Sequence, residues 1–325
     1  MPAPNWQGAA RLQSRRQRRS ASSLEKTHDM QLKYSVFPLG AVLIWAGNTV
    51  VSKMSAGLIE PAAISFYRWL LAGLILTPFL LKPVWRQRRT IQPHLPKILV
   101  LALLGMVLYQ SLAYFAAATS SATSMGMIAS LMPLLTLLLS SLFLREPPTW
   151  GTLIGGVLSL LGLMILIGKG HPMQLFEHGV VFGDILMLLA TVAYALYGVL
   201  LRKWALPIAS WHLLYLQIWI AVVLLFPPFL LAPYSPVTAA NLPLLLYAAI
   251  AASIISQILW MNGVAHMGAS HATVFMNLFP IFTVIIAVAA LGESVHSYHA
   301  IGGGITLIGV LLAQMLKQRI VRPAV

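Results

Sequence analysis

Long apolar runs are the feature that most limits how this chain can fold. Ten stretches of roughly 17 to 25 residues are nearly free of charge, and each could cross the hydrocarbon core of a bilayer as a helix. In lipid every backbone N–H and C=O group must bond within the protein, so we expect helices here. The predicted membrane-spanning helices are residues 34–52, 61–81, 98–118, 121–144, 149–167, 180–201, 210–231, 242–266, 272–291 and 300–316. A composition of 59 % hydrophobic and 9 % charged residues excludes a pair of soluble domains.

The basic residues orient these helices. All but three of the 21 Lys and Arg residues fall on one side of the membrane if the N-terminus is cytoplasmic, the exceptions being Lys53, Lys169 and Arg68. This bias follows the positive-inside rule, and it predicts a multi-pass protein with both termini in the cytoplasm. The net charge of +14 lies in short clusters between apolar runs. We therefore expect the lipid bilayer as surroundings and no nucleic-acid partner.

The second half of the chain repeats the first. Pro133 and Pro280 lie 147 residues apart, as do Glu146 and Glu293, within two long apolar stretches. A proline inside an apolar helix removes a backbone hydrogen bond and strains the preceding turn. Two such helix breaks at equivalent places are typical of the central site of a transporter, so Pro133 and Pro280 are predicted to lie at the site.

The early helices of the two copies match at a spacing of 149 residues. Asn48 corresponds to Tyr197, and Arg68 corresponds to Gln217. Because five helices per copy is an odd number, the second copy must cross the membrane in the opposite sense. The predicted fold class is all-α integral membrane, with ten transmembrane helices as two inverted-topology five-helix repeats.

Four segments follow from this organisation. We predict a disordered basic cytoplasmic tail at residues 1–33, a first repeat at 34–168, a second repeat at 180–316 and a cytoplasmic C-terminal tail at 317–325. The leader is polar and rich in arginine, which favours disorder. An alternative is that translation starts at Met30.

Polar side chains at membrane depth mark the candidate substrate site. Such groups are costly in hydrocarbon and usually face the bundle interior or a wet cavity. Amides and aromatics together suit a small molecule with an apolar or aromatic body and a few polar groups. The alternative is that the amides bridge helices and the aromatics fill the core. The candidates are Trp45, Asn48, Tyr67, Arg68, Gln110, Tyr114, Tyr194, Tyr197, Gln257, Trp260, Asn262 and Asn277.

Arg68 is the only formal charge deep within a predicted span. One interpretation is a counter-ion for an anionic or zwitterionic substrate. The other is a structural anchor bonded to exposed carbonyl groups near Glu60. The sequence leaves both open.

The acidic residues bear on energy coupling. All seven lie in loops or near helix ends, and none sits mid-membrane. A drug exporter that exchanges cations for protons normally needs a buried, titrating carboxylate. Neutral or zwitterionic substrates therefore fit better. Asp184, about one turn into the sixth span, keeps a proton-coupled drug exporter open as the alternative.

Other chemistry has no support in the sequence. The chain has no cysteine, and its nine histidines lack metal-ligand spacing. It contains no P-loop, GxSxG or HExxH pattern. We expect no enzyme activity, no cofactor and no metal. Glycines on the fifth and tenth spans, including Gly151 and Gly155, permit close helix contact, either within the chain or in a homodimer.

Several short motifs in register resemble one family. They are Trp45-Ala46-Gly47-Asn48, Phe66-Tyr67-Arg68-Trp69, Leu144-Arg145-Glu146, Gly183-Asp184, Ala193-Tyr194-Ala195-Leu196-Tyr197 and Leu291-Gly292-Glu293. Together they resemble the EamA-type transporters of the drug/metabolite transporter superfamily. Tyr194 stands where that family often has tryptophan.

The resemblance implies a carrier of the bacterial inner membrane with two five-helix repeats, and many members of the family export amino acids or related metabolites. The functional hypothesis is an exporter of small metabolites, with amino acids or amino-acid-like compounds as the leading class. The alternative from another class is a membrane sensor or assembly factor without transport.

Overall fold

The described residues form ten helices that are long and apolar enough to cross a membrane. The computed structural model describes residues 34–145, 149–171, 181–268, 272–316 and 318. The helices are α1 (Val36–Ser55), α2 (Pro61–Arg86), α3 (Arg88–Ala116), α4 (Ala122–Phe143), α5 (Trp150–Ile167), α6 (Phe182–Trp204), α7 (Ser210–Leu231), α8 (Leu242–Met267), α9 (Thr273–Leu291) and α10 (Ser297–Met315). They form two five-helix repeats of inverted topology, so the predicted fold class is confirmed.

The third helix begins earlier than the sequence predicted. We expected it to start at Ile98, but helical structure runs from Arg88 through a 3₁₀ turn at Gln92–His94. Pro93 and Pro96 lie in the first turns of their helical segments, where a missing N–H is tolerated. Hydropathy missed this extension because it is polar and basic.

Two large buried apolar clusters lie within the bundle. One joins α1, α4 and α6 through residues such as Ala46, Ile128 and Met187. The other joins α2, α3 and α7, and it includes Trp69 and Ile218. The space between these clusters is the centre of the bundle.

Both repeats contain a π-helical segment at an equivalent place. It covers Ala102–Leu108 in α3 and Tyr247–Ile255 in α8. A π-helix widens the turn and is often found at functional sites. In α8 the widened turn lets Ser253 Oγ donate to the carbonyl oxygen of Ala248, five residues earlier, at 2.8 Å.

The helices α4 and α9 are irregular in the middle of the bundle. The α-helix of α4 is interrupted at residues 130 and 131 and resumes at Met132, with Pro133 in its first turn. The first part of α9 is a 3₁₀ helix, Thr273–Leu278, and Pro280 lies in the first turn of the α-helix that follows.

Glycines bring the backbones of α5 and α10 into contact. A Cβ atom on Gly155 would collide with the carbonyl oxygen of Gly309 and with Ala313. Ser159 Oγ donates to the carbonyl oxygen of Thr306 at 3.1 Å across the same interface. The glycine face is therefore occupied within the chain, and homodimer formation stays a prediction.

A methyl group at this interface should destabilise the fold. We expect Gly155→Ala to lower the free energy of unfolding by about 1–3 kcal/mol, the typical cost of overpacking. The matched control is Gly304→Ala on α10, where a Cβ atom meets nothing within 4 Å. Thermal unfolding in detergent checks this, and equal melting temperatures for the two variants would contradict the packing described.

Candidate functional site

A cavity lies at the centre of the bundle, between α1–α4 and α6–α9. Its volume is about 80 Å³, several times the roughly 15 Å³ that one water molecule needs. No residue of α5 or α10 lines it among those the structure describes. The lining residues are Trp45, Asn48, Thr49, Ser52, Arg68, Trp69, Gly105, Met106, Tyr109, Gln110, Ala113, Met125, Ala129, Ser130, Met132, Pro133, Met187, Tyr194, Leu214, Ala252, Ser253, Gln257, Met276 and Phe279.

Helical periodicity places these residues on common faces. On α1 the lining positions 45, 48, 49 and 52 follow the spacing i, i+3, i+4 and i+7, and positions 106, 109, 110 and 113 repeat it on α3. Residues so spaced lie on one side of a helix. The polar and aromatic groups of each helix therefore face the same space.

Among the residues that the structure describes, Arg68 is the only charged one that lines the cavity, and it is 1 % exposed. Its Nε donates to Ser253 Oγ at 2.8 Å, and its Nη1 donates to Gln110 Oε1 at 2.6 Å. Nη1 also lies 3.3 Å from the hydroxyl oxygen of Tyr114. The guanidinium carbon is 4.9 Å from the centre of the Trp69 ring, close enough for a cation–π contact.

These contacts leave the charge of Arg68 without a counter-ion. Its partners are neutral side chains, and within the described residues neither Glu60 nor another carboxylate pairs with it. Its Nη2 group has no hydrogen-bond partner in that part of the chain either. A buried charge is costly unless it is paired. The guanidinium thus offers free donors and positive charge to the cavity.

Two other amides line the cavity without internal partners. Asn48 is 9 % exposed, and its Oδ1 is buried with no hydrogen bond to any described residue. Gln257, on α8, also has no side-chain hydrogen bond within the described ranges. A buried polar atom normally has a partner.

Aromatic rings and methionines make up much of the remaining wall. The ring centres of Trp45 and Trp260 are 5.3 Å apart, and those of Tyr109 and Tyr194 are 4.5 Å apart. Methionine is flexible and polarizable, so it adapts to apolar groups of different shape. Five line the cavity: Met106, Met125, Met132, Met187 and Met276.

The structure brings together about half of the residues predicted from the sequence. Those that line the cavity are Trp45, Asn48, Arg68, Gln110, Tyr194, Gln257 and Pro133. Three more contact lining residues from behind: Tyr114 contacts Arg68, Trp260 contacts Trp45, and Tyr197 lies against Gly105. These three are supports for the cavity wall.

The other predicted residues lie elsewhere. Tyr67 packs on the ring of Phe229, with 5.1 Å between ring centres. Asn262 Nδ2 donates to the carbonyl of Ile258 in its own helix at 2.8 Å. Asn277 Nδ2 donates to Gln314 Oε1 on α10 at 3.2 Å. Pro280 lines a separate crevice that includes Gly303 and Val295.

Sequence reasoning missed several lining residues. Trp69 and Tyr109 are immediate neighbours of Arg68 and Gln110, and a helical-spacing search anchored on Gln110 would have found Met106. Ser253 carries no such signal, because a serine among apolar residues is common. Its position depends on the π-helical turn of α8.

The acidic residues that the structure describes lie outside the cavity. Asp184 is 5 % exposed and accepts a hydrogen bond from Ser120 Oγ at 2.5 Å. It lines a second, polar pocket with Glu293 and His299. No group of acids and histidines in the described ranges could hold a metal ion. Glu146 lies outside the described residues.

Glu293 joins α9 to the start of α4. Its Oε1 accepts from the Ala122 N–H at 2.8 Å, and its Oε2 accepts from the Thr123 N–H at 3.0 Å. A carboxylate is well placed at a helix N-terminus, where N–H groups lack partners and the dipole is positive. Nearby, Gly126 lies so close to Thr283 that a Cβ atom would clash. We call this the Glu293 end of the bundle.

At the end opposite to Glu293, the packing of α4 and α9 is different. The repeat counterparts of Gly126 and Thr283 are Thr273 and Thr136. Thr273 is exposed, whereas Gly126 is buried. The helices α4 and α9 are therefore packed against each other at the Glu293 end, whereas the equivalent position of α9 at the other end has an exposed side chain.

Ten helices in two inverted repeats around a central cavity define a membrane carrier. The chain belongs to the EamA-like transporter family, whose sequence model matches residues 32–168 and 181–315. It therefore functions as a transporter, with a small molecule as substrate.

Curated relatives agree with this family. An uncharacterized transporter of Archaeoglobus fulgidus is 29 % identical over 277 residues, covering 83 % of this chain and 93 % of that protein. The uncharacterized transporter YyaM of Bacillus subtilis is 24 % identical over 292 residues, covering 87 % and 93 %. A probable terminal-alkyne amino-acid exporter of Streptantibioticus cattleyicolor is 24 % identical over 228 residues, covering 69 % and 75 %.

A solved crystal structure shares the fold. It superposes with a TM-score of 0.57 at 17 % sequence identity, covering 90 % of this chain and 99 % of the other. At this identity the likeness concerns the fold alone.

Removing the Glu293 carboxylate should loosen the start of α4. Hydrogen bonds to charged groups contribute about 1.5–3 kcal/mol each, so in Glu293→Ala we expect amide hydrogen exchange in residues 122–129 to be about ten-fold faster or more. Mass spectrometry of the exchanged protein measures this. Glu60→Ala, at a loop of the same end, is the control, and equal exchange in both variants would rule out the closure.

Proposed function

We propose that the chain exports small anionic or zwitterionic metabolites across the bacterial inner membrane, with amino acids and amino-acid-like compounds as the leading class. The observation that carries this proposal is Arg68, a buried guanidinium that lines the cavity without a carboxylate partner. A substrate carboxylate supplies the missing counter-charge. It would accept from Nη2, the amino group that has no hydrogen bond within the described chain.

The partners of Arg68 support a binding role over an anchoring role. An anchor would bond to exposed backbone carbonyls, whereas Arg68 is held by the side chains of Ser253, Gln110 and Tyr114. Those three neutral groups fix the direction of the guanidinium and leave its charge uncompensated. Charge-assisted hydrogen bonds to a carboxylate are roughly twice as strong as neutral ones, so the substrate gains from this arrangement.

The rest of the wall suits an apolar substrate body. Trp45, Tyr194 and the five methionines offer adaptable apolar contact, and Gln110 and Gln257 provide amides for further polar groups. The similarity to a probable terminal-alkyne amino-acid exporter supports the same substrate class.

Alternating access is the proposed mechanism. The repeat of α1–α5 would rock against that of α6–α10 about the central cavity, so that each end opens in turn. Support comes from the asymmetry between the two ends, since Gly126 and Thr283 are packed together while Thr273 is exposed. Inverted repeats allow the two halves to exchange these conformations.

Purified protein in liposomes tests the function. Wild type should transport at least one amino acid from a mixed metabolite panel read by mass spectrometry. Arg68→Gln should lower that rate at least ten-fold, because loss of a charged hydrogen bond costs about 1.5–3 kcal/mol. Arg86→Gln, an exposed arginine at the far end of the same helix, is the matched control.

The outcomes distinguish the alternatives. No protein-dependent flux for any compound would overturn the transporter proposal, and intact transport in Arg68→Gln would end the counter-ion role. A proton-coupled drug exporter predicts instead a substrate-induced pH change that Asp184→Asn abolishes.

The orientation is also part of the proposal. The positive-inside bias predicts that residues 1–33 and 317–325 lie in the cytoplasm and that the Glu293 end lies outside. In a bacterial host, green fluorescent protein fused after Val325 should fluoresce, and alkaline phosphatase fused there should be inactive. The reverse pair of results would invert the topology.

A further inference from the structure

We infer that Asn48 recognises the amino group of the substrate, so that the carrier selects compounds with a carboxylate and an ammonium group close together. This inference rests on the proposed function, in which Arg68 binds the carboxylate. It assigns a specificity-determining role to one residue of the same cavity.

The repeat symmetry places Asn48 opposite Arg68. Asn48 corresponds to Tyr197 of the second repeat, and Arg68 corresponds to Gln217. In the second repeat this pair is joined directly, since the Tyr197 hydroxyl donates to Gln217 Oε1 at 3.3 Å. The pseudo-two-fold relation therefore directs Asn48 and Arg68 toward each other across the cavity that both line.

The first repeat lacks that direct bond because asparagine is shorter than tyrosine. No hydrogen bond joins Asn48 to Arg68, and Asn48 Oδ1 is buried without a partner among the described residues. Arg68 Nη2 likewise has none. In the second repeat, Tyr197 and Gln217 are thus bonded to each other. In the first repeat, Asn48 Oδ1 is a free acceptor and Arg68 Nη2 is a free donor among the described residues, and both residues line the same cavity.

The chemistry of these two groups specifies the ligand. The carbonyl oxygen of an amide accepts hydrogen bonds, which a carboxylate cannot donate and an ammonium group can. An α-amino acid carries both groups on one carbon. Trp45, one turn away on α1, presents a ring in the same cavity that adds a cation–π contact. A simple carboxylic acid leaves the Asn48 oxygen unsatisfied, which is the condition under which binding sites discriminate most strongly.

The side chain of Asn48 carries no charge, and this matters for the binding of a carboxylate at Arg68. An aspartate there would pair with Arg68 in the empty carrier and compete with the substrate carboxylate. The amide of Asn48 accepts a hydrogen bond from the ammonium group of the substrate and does not neutralise the charge of the Arg68 guanidinium.

Binding of paired ligands tests the inference. The probes are L-methionine, L-leucine and L-phenylalanine, each with its deaminated acid: 4-(methylthio)butanoate, 4-methylpentanoate and 3-phenylpropanoate. Affinity is measured from the thermal stabilisation of purified protein as ligand concentration rises. Wild type should bind at least one amino acid ten-fold or more tightly than its deaminated acid. Asn48→Leu should reduce that preference to two-fold or less, and Arg68→Gln should weaken the binding of both the amino acid and the acid.

A second variant at position 48 distinguishes a loss of binding from a loss of folding. Asn48→Tyr gives the first repeat the residue that the second has at position 197, and the tyrosine hydroxyl oxygen can accept a hydrogen bond from Arg68, so the variant should fold with an unchanged or higher melting temperature and bind neither ligand. Equal affinity of wild type for both ligands, or a ten-fold preference that persists in Asn48→Leu, would overturn the inference and leave the role of Arg68 intact. If wild type binds no ligand of either kind, the proposed substrate class fails and the inference fails with it.

Discussion

The satisfaction of backbone hydrogen bonds is the constraint on which the whole structure depends. In lipid an unpaired N–H or C=O group has no water to bond, so the chain must be helical wherever it meets hydrocarbon. Three of the departures from regular helix lie beside protein at the centre of the bundle. The interruption in α4 and the π-helical segments of α3 and α8 border the central cavity, where Trp69 Nε1 donates to the carbonyl oxygen of Met106 at 3.0 Å.

The cavity wall has a repeated backbone feature but an unrepeated charge. Both repeats contain a π-helical segment at an equivalent place, yet only the first carries arginine, at position 68, where the second has Gln217. Among the described lining residues, the positive charge therefore comes from the first repeat alone. A carrier can keep a symmetric means of moving while binding its substrate in one orientation.

Much of this fold could be predicted because a helix that crosses lipid can be recognised from the length and the polarity of its sequence segment. Nine of the ten helices begin within three residues of the predicted position, and α3 differs because its polar extension has no apolar signal. The residues of the cavity were harder to predict than the helices. Arg68 and Gln110 are conspicuous as polar groups among apolar ones, whereas Ser253, which accepts a hydrogen bond from Arg68, is one serine within the π-helical segment of α8. Tyr67 and Asn277 have equally suitable chemistry, but their helix faces point to neighbouring helices, which composition cannot reveal.

The glycine contact between α5 and α10 has a mechanical consequence. Backbones that touch at Gly155 and Gly309, with Ser159 bonded to Thr306, cannot slide past one another without steric collision. The two repeats are thus held together along their last helices. In the proposed rocking of the two halves, the contact between α5 and α10 would stay fixed while the eight helices that surround the cavity tilt about it.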